Sequence, residues 1–282
     1  MKLDILKAVA IGDFCGSSFE GVYKSKIPID ELNDDNMIYC KGYKKNHLTD
    51  NSVCTFAVAS AIMTDTFNWK YWIKRFINTY PALGYGNYFY NWIKGLVDDA
   101  NKSWGNGAVM RCSPIAWYSS SIEELDKLTE ELCKLTHNTD IAIVASKTLN
   151  YAIYDAKKGA DKEHIINIAY KAYPEWKNLT LDNYIEYFES KGDAINYNWY
   201  LRADNMTALC FKCFEQSKDF ESAIKLAIQQ GFDTDTAGTI TASLAYAYYK
   251  SIPQKYIDII DKVFTVEMEL INDTFSSKFI NV

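Results

Sequence analysis

The chain has few of the residues that interrupt helices. Glycine occurs 13 times and proline 5 times among 282 residues, well below their average usage. Long segments with a 3.6-residue hydrophobic period accompany this scarcity, as at residues 141–156. Such a period is typical of amphipathic helices. We therefore expect a mostly helical protein.

Other absences argue against whole classes of function. The net charge is −6 and no stripe of Lys and Arg is visible, so non-specific nucleic-acid binding, which needs basic residues at the phosphates, is not expected. Seven cysteines are an odd number and do not suggest a disulfide framework. Cys210 and Cys213 form a lone CxxC pair, which we interpret as two buried thiols in a helix rather than a zinc or redox site. The chain shows no signal peptide and no run of 18 apolar residues, so we expect a cytoplasmic protein.

Helices and loops can be placed from hydrophobic runs and capping residues. A capping box at Ser121–Glu124 predicts a helix start, and Gly231 is expected to end a helix. The predicted helices cover residues 52–65, 69–80, 121–135, 141–156 and 219–230. We expect a surface loop at residues 24–48 and a long loop or lid at residues 174–203. No repeat or linker divides the chain, so residues 1–282 are expected to form one domain.

Two Thr/Asp clusters each precede a run of small apolar residues. The first is Thr49-Asp50-Asn51-Ser52 and the second is Asp233-Thr234-Asp235-Thr236. They could be N-caps, since Ser, Thr, Asp and Asn are the preferred capping residues. They could also form a metal site, because Mg²⁺ and Ca²⁺ prefer hard oxygen ligands and carboxylates are favoured near helix N-termini. Two matched clusters favour the halves of one divalent metal site.

Two further stretches are suited to binding phosphate. The turn Gly105-Asn106-Gly107 enters an apolar segment, and glycines let backbone amides approach a ligand closely. The same pattern is also common in ordinary turns. His137 lies where one helix is expected to end and the next to begin, where a histidine is usually structural. Neither stretch identifies a function by itself.

Taken together and in this order, the stretches resemble the ADP-ribosylglycohydrolase family, which includes the dinitrogenase reductase-activating glycohydrolases and the ADP-ribosyl-acceptor hydrolases. The resemblance spans about residues 5–265. The matching segments are Gly12–Glu20, Leu48–Ser52, Gly105–Arg111, Thr136–Asn138 and Gly231–Thr236. The resemblance implies a compact all-α orthogonal helical bundle with a metal site at the floor of a cleft. It also implies a hydrolase that removes ADP-ribose from a modified protein or another acceptor, with nucleic acid only as a modified acceptor and no membrane partner.

The resemblance assigns roles to individual residues. Glu20 matches a carboxylate that works as acid or base on the glycosidic bond, and Asp50 is the second catalytic candidate. The implied metal ligands are Thr49, Asp50, Asn51, Asp233, Asp235 and Thr236. The implied substrate contacts are Asp13, Ser103, Trp104, Gly105, Asn106, Gly107 and His137. Trp104 would stack on adenine, with packing in the core as the alternative. The expected cofactor is Mg²⁺, as two ions or one, and Mn²⁺ would be able to substitute.

The chain departs from the family pattern at Asn51, where relatives usually carry an acid. Asp50, Asp233 and Asp235 would then supply three charges rather than four, which predicts a weakened second metal site, a single metal or lost activity. The residues after His137 also differ from the His-Pro-Glu continuation of many bacterial relatives. Two functions therefore stay open: a Mg²⁺-dependent hydrolase that reverses ADP-ribosylation, and a catalytically impaired relative that binds ADP-ribose or ADP-ribosylated targets.

Overall fold

A computed structural model describes residues 3–41, 43–81, 84–98, 102–190 and 199–279. Over these ranges the chain is built from α-helices, with no β-pairing beyond isolated bridges, which confirms the all-α prediction. The helices are α1 Ile5–Ser17, α2 Asp34–Met37, α3 Asp50–Met63, α4 Trp69–Thr79, α5 Asn87–Ile93, α6 Ser113–Tyr118, α7 Ile122–Lys134, α8 Asp140–Lys157, α9 Lys162–Ala172, α10 Tyr184–Ser190, α11 Ala203–Gln216, α12 Phe220–Gln229, α13 Thr234–Tyr249, α14 Gln254–Val263 and α15 Val266–Ser277.

The centre of the fold is the close pair α1 and α13. Every residue of α1 is buried, and so is α13 from Thr234 to Ala247, as expected for helices that are apolar all round. A Cβ at Gly12 would lie only 2.2 Å from the carbonyl oxygen of Gly238, and one at Gly16 only 2.3 Å from that of Thr234. Only glycine allows backbones to approach so closely. The crossing brings the end of α1 against the start of α13.

The predicted helices are confirmed to within a few residues as α3, α4, α7, α8 and α12. Ser121 caps α7 by accepting a hydrogen bond from the backbone N–H of Glu124 at 3.2 Å. The Glu124 carboxylate accepts from the backbone N–H of Ser120 at 2.8 Å, so the predicted capping box is formed on one side only. Gly231 follows α12 with φ +77°, the conformation that favours glycine after a helix.

The two predicted loops contain short helical pieces. Residues 24–48 include a 3₁₀ turn and α2, and residues 174–203 include two 3₁₀ turns and α10. The predicted surface loop and the predicted long loop or lid are therefore partly helical, and aromatic contacts accompany the short elements of the second region. Tyr184, for example, packs edge-to-face on Trp199 at 5.2 Å between ring centroids. Residues 191–198 of the predicted lid lie outside the described residues.

The seven cysteines form no disulfide, and Cys210 and Cys213 are buried thiols within α11, as predicted. Across the described part of the chain, every helix is too short or too polar to cross a lipid bilayer.

Candidate functional site

One cavity of about 440 Å³ brings together all five segments that the sequence singled out. The predicted site residues that line it are Glu20, Asp50, Ser103, Gly105, Asn106, Gly107, His137, Asp233, Asp235 and Thr236. These segments are up to about 200 residues apart in the chain, and the α1–α13 crossing is what draws the first and the last together.

Three carboxylates meet at one side of the cavity. Oxygen atoms of Glu20, Asp233 and Asp235 lie within 4.8 Å of one another. Burial and the charge of Asp233 raise the pKa of both Glu20 and Asp235. Asp235 is only 3% exposed, and its Oδ1 accepts no hydrogen bond. Like charges held together in a buried place, with an oxygen left without a donor, fit a divalent cation.

Asp50 lies in the same cavity wall at the start of α3. Burial raises the pKa of Asp50 to about 8, and the charges of Asp13, Asp233 and Glu20 add to this effect. Gly84 has φ +106°, and a Cβ there would lie 3.0 Å from Asp50 Oδ1. The backbone at Gly84 therefore covers Asp50, which is possible only with glycine.

Capping explains one Thr/Asp cluster and not the other. Thr49 precedes α3, and its hydroxyl accepts a hydrogen bond from the backbone N–H of Asn51 at 3.3 Å. Asp233 holds the equivalent place before α13, but its side chain makes no capping bond. Asp235, expected in the loop before the helix, is in the first turn of α13. The second cluster is therefore directed at the cavity instead of at its own helix.

Asp13, predicted to contact substrate, is fully buried and does not line the cavity. Its Oδ2 accepts hydrogen bonds from the backbone N–H groups of Thr49 at 2.9 Å and Ser52 at 3.0 Å. Its Oδ1 accepts one from the Thr49 hydroxyl at 2.7 Å. Burial nevertheless raises the pKa of Asp13. In this structure Asp13 holds the start of α3 in place next to the cavity, and its predicted contact with substrate stays a prediction.

Thr49 and Asn51, predicted to be metal ligands, are each 1% exposed and lie behind the cavity wall. The Asn51 side-chain nitrogen donates hydrogen bonds to Thr49 Oγ1 at 2.9 Å and to Asp235 Oδ2 at 3.1 Å. The Asn51 side-chain oxygen has no partner. This arrangement differs from the expected one, in which the amide oxygen would face a metal ion.

The Gly-Asn-Gly turn is attached to the carboxylates by its asparagine. The Asn106 side-chain nitrogen donates to Asp233 Oδ2 at 2.7 Å and to the carbonyl oxygen of Tyr200 at 3.1 Å. The two bonds connect three distant parts of the chain. The Asn106 amide therefore helps to hold the Asp233 carboxylate in place at the cavity.

His137 faces this turn as a neutral ring. Burial and the nearby charge of Arg111 lower the pKa of His137 well below its usual value. Its Nδ1 is paired with the Thr136 hydroxyl at 2.7 Å, and its Nε2 would be 3.2 Å from a Cβ at Gly107. The imidazole edge and the turn therefore form one wall of the cavity.

Trp104 is not a core residue, and its predicted stacking on adenine stays a prediction. It is 37% exposed, which is wrong for a core residue, and it does not line the cavity. The aromatic side chains in the wall are Tyr88, Phe89, Tyr200 and Phe232. Tyr200 and Phe232 pack together at 5.0 Å between ring centroids. These aromatics come from aromatic-rich stretches whose register toward the cavity could not be predicted.

Arg111 is a positively charged residue in the cavity wall for which the sequence analysis predicted no role. It is 1% exposed, and its guanidinium lies 5.2 Å from the centroid of the Phe89 ring. Its signal in the sequence is a charged residue inside the apolar segment after the Gly-Asn-Gly turn. A buried cation is favourable only beside a compensating group, which makes this wall suited to an anion.

Comparisons with known proteins agree with the geometry. The family model described as ADP-ribosylglycohydrolase matches residues 3–279. A solved structure described as an "ADP-ribosylglycohydrolase-related protein complex" has the same fold, with a TM-score of 0.71 at 21% identity over 98% of this chain and 97% of that chain. No curated protein matches the chain.

Proposed function

Because the chain belongs to the ADP-ribosylglycohydrolase family, we propose that it is a Mg²⁺-dependent hydrolase that cleaves the glycosidic bond between ADP-ribose and an acceptor. The observation that carries this proposal is the group Glu20, Asp233 and Asp235 at the cavity, with Asp235 Oδ1 buried and unpaired. Residues 1–282 would act as one domain, with an ADP-ribosylated protein or other acceptor as substrate and ADP-ribose as product.

The metal would be held by carboxylate oxygens at this side of the cavity. Glu20, Asp233 and Asp235 offer the ligand atoms, and the Thr236 hydroxyl lines the same wall. Hard oxygen ligands suit Mg²⁺ and also Mn²⁺. When bound, the ion supplies a template for the ribose hydroxyls and polarises the oxygens that it contacts.

Glu20 is the residue that we assign to proton transfer. Hydrolysis breaks the bond from the anomeric carbon to the acceptor nitrogen or oxygen, joins that carbon to the oxygen of water, and passes a water proton to the acceptor. Positive charge develops on the ribose during this step. Glu20 is half-buried at the cavity with a raised pKa, which suits a carboxyl that must both take up and release a proton near neutral pH. Asp50, in the same cavity wall, is the second catalytic candidate.

The far wall would bind the diphosphate. The Gly105-Asn106-Gly107 turn provides backbone amides, and His137 and Arg111 border it. Backbone N–H groups and a guanidinium are strong partners for phosphate oxygens. The aromatic wall at Tyr200 and Phe232 offers a face for the adenine.

Release of labelled ADP-ribose from a mixed pool of modified acceptors, with Mg²⁺ and with EDTA, tests the proposal. We expect release that EDTA stops. Binding of ADP-ribose by the folded protein without release from any acceptor would support the catalytically impaired alternative instead.

A further inference from the structure

We infer that the site binds one divalent ion, at Glu20, Asp233 and Asp235, and that Asn51 excludes a second ion by presenting its amide N–H₂ to the side of Asp235 that faces α3. The inference rests on the proposed metal dependence and adds the number of ions. It is carried by the hydrogen bonds behind the cavity wall.

The Thr49 hydroxyl has no lone pair left for a cation. A hydroxyl donates one hydrogen bond and accepts two. The Thr49 hydroxyl donates to Asp13 Oδ1 at 2.7 Å. It accepts from the backbone N–H of Asn51 at 3.3 Å and from the Asn51 side-chain nitrogen at 2.9 Å. A metal ion at Thr49 would have to displace these donors.

The orientation of the Asn51 amide follows from the same bonds. With its hydrogen directed at Asp13, Thr49 Oγ1 can only accept from Asn51. Asp235 Oδ2, the second neighbour at 3.1 Å, is likewise an acceptor. Reversing the amide would place its oxygen against two other oxygens, which is unfavourable. The side chain at position 51 thus presents the positive end of its dipole where a second cation would need a ligand.

The two carboxylate oxygens of Asp235 have different surroundings. Oδ2 is held by Asn51, and Oδ1 remains buried without a partner. Asp233 Oδ2 likewise accepts a hydrogen bond, from Asn106. One oxygen each of Glu20, Asp233 and Asp235 lies within 4.8 Å of the other two, which provides one three-carboxylate site for one ion.

Titration of the EDTA-treated full chain with MnCl₂ tests the inference, with stoichiometry measured by calorimetry and by metal analysis after dialysis. We expect one Mn²⁺ per wild-type chain and two per Asn51→Asp chain, in which a carboxylate replaces the N–H₂ donor. Two ions in one site should also give a spin-coupled electron paramagnetic resonance signal in the variant and not in the wild type.

Asn150 offers a matched control. It is a buried asparagine whose side-chain nitrogen donates to a threonine hydroxyl, Thr129 Oγ1, at 2.9 Å, and it lies away from the cavity. Asn150→Asp should leave the stoichiometry at one, and if that variant does not fold, the wild-type titration still decides. Two ions per wild-type chain would overturn the inference and leave the proposed function standing. No ion would overturn both, and one ion in Asn51→Asp would show that Asn51 does not set the number.

Discussion

One methyl group added at Gly16 should damage the fold and the site together. A Cβ at this position would lie 2.3 Å from the carbonyl oxygen of Thr234 and 2.6 Å from the Cα of Asp235, both backbone atoms, whereas ordinary contacts begin at 3.4 Å. Backbone cannot rotate away as a flexible side chain can, so α1 and α13 must separate by about 1 Å in a closely packed interior. Asp235 would move with its helix.

The expected loss of stability is about 2 kcal/mol. Overpacking typically costs about 1–3 kcal/mol, and contacts with backbone favour the upper end. Alanine is favoured over glycine in a helix by about 1 kcal/mol, which offsets part of this cost. The displacement of Asp235, a proposed ligand of the ion, should also weaken Mn²⁺ binding.

Urea unfolding and Mn²⁺ titration of Gly16→Ala measure the two effects. Gly86→Ala is the matched control, because a Cβ there meets no atom within 4 Å and its φ is −59°; we expect its unfolding free energy to stay within about 0.5 kcal/mol of wild type. If Gly16→Ala unfolds at the wild-type urea concentration and binds Mn²⁺ with wild-type affinity, the helix crossing does not position Asp235 and the reasoning is refuted.

Three other substitutions probe the site and the core. Asp235→Asn should stabilise the metal-free protein, because it removes a buried like charge. It should also abolish the stabilisation by Mg²⁺, which in wild type would be about 2.7 kcal/mol when Mg²⁺ is present at 100 times its dissociation constant. Thermal unfolding with Mg²⁺ and with EDTA measures both effects, and stabilisation of the variant by Mg²⁺ would show that the assignment is wrong. Asn106→Ala should weaken ADP-ribose binding by about 10- to 150-fold, since the hydrogen bond that holds the turn to Asp233 is to a charged group and contributes about 1.5–3 kcal/mol. Unchanged affinity in calorimetry would argue against the wall formed by the turn. Burial lowers the pKa of Lys157 to about 8 from 10.5, so the unfolded chain binds more protons between these values and the Lys157 contribution to stability rises with pH across that window. In urea titrations at pH 8 and pH 10, Lys157→Met should reduce the rise of the unfolding free energy with pH. An equal rise in wild type and variant would show that burial does not lower the pKa of Lys157.

The sequence predicted the parts that depend on local pattern. Hydrophobic period and capping residues placed α3, α4, α7, α8 and α12, and the order of five short segments indicated the family. These signals are local or come from motifs, so they can be read without knowing which residues touch. The cavity position of Glu20, Asp233 and Asp235 followed from the motif order.

The contacts between distant residues could not be predicted. Asp13 resembled a substrate contact, but its partners Thr49 and Ser52 lie 36 and 39 residues away. The orientation of the Asn51 amide depends on Asp235, which is 184 residues away. Trp104 was placed by motif position, while its exposure depends on how neighbouring elements pack. Such hydrogen bonds and exposures are set by tertiary geometry and leave no local pattern.

The most direct test of the account compares wild type with Glu20→Gln, an isosteric change that removes the carboxyl that we assign to proton transfer. Because Glu20 is also a ligand of the proposed ion, each protein is loaded at the Mg²⁺ concentration that saturates it. ADP-ribose binding by calorimetry and single-turnover release of labelled ADP-ribose from a modified acceptor would be measured on the same preparations with saturating Mg²⁺. We expect both proteins to bind ADP-ribose, and release to fall by about 10²-fold or more in the variant, the range typical of lost acid–base catalysis. Equal release rates would contradict the account.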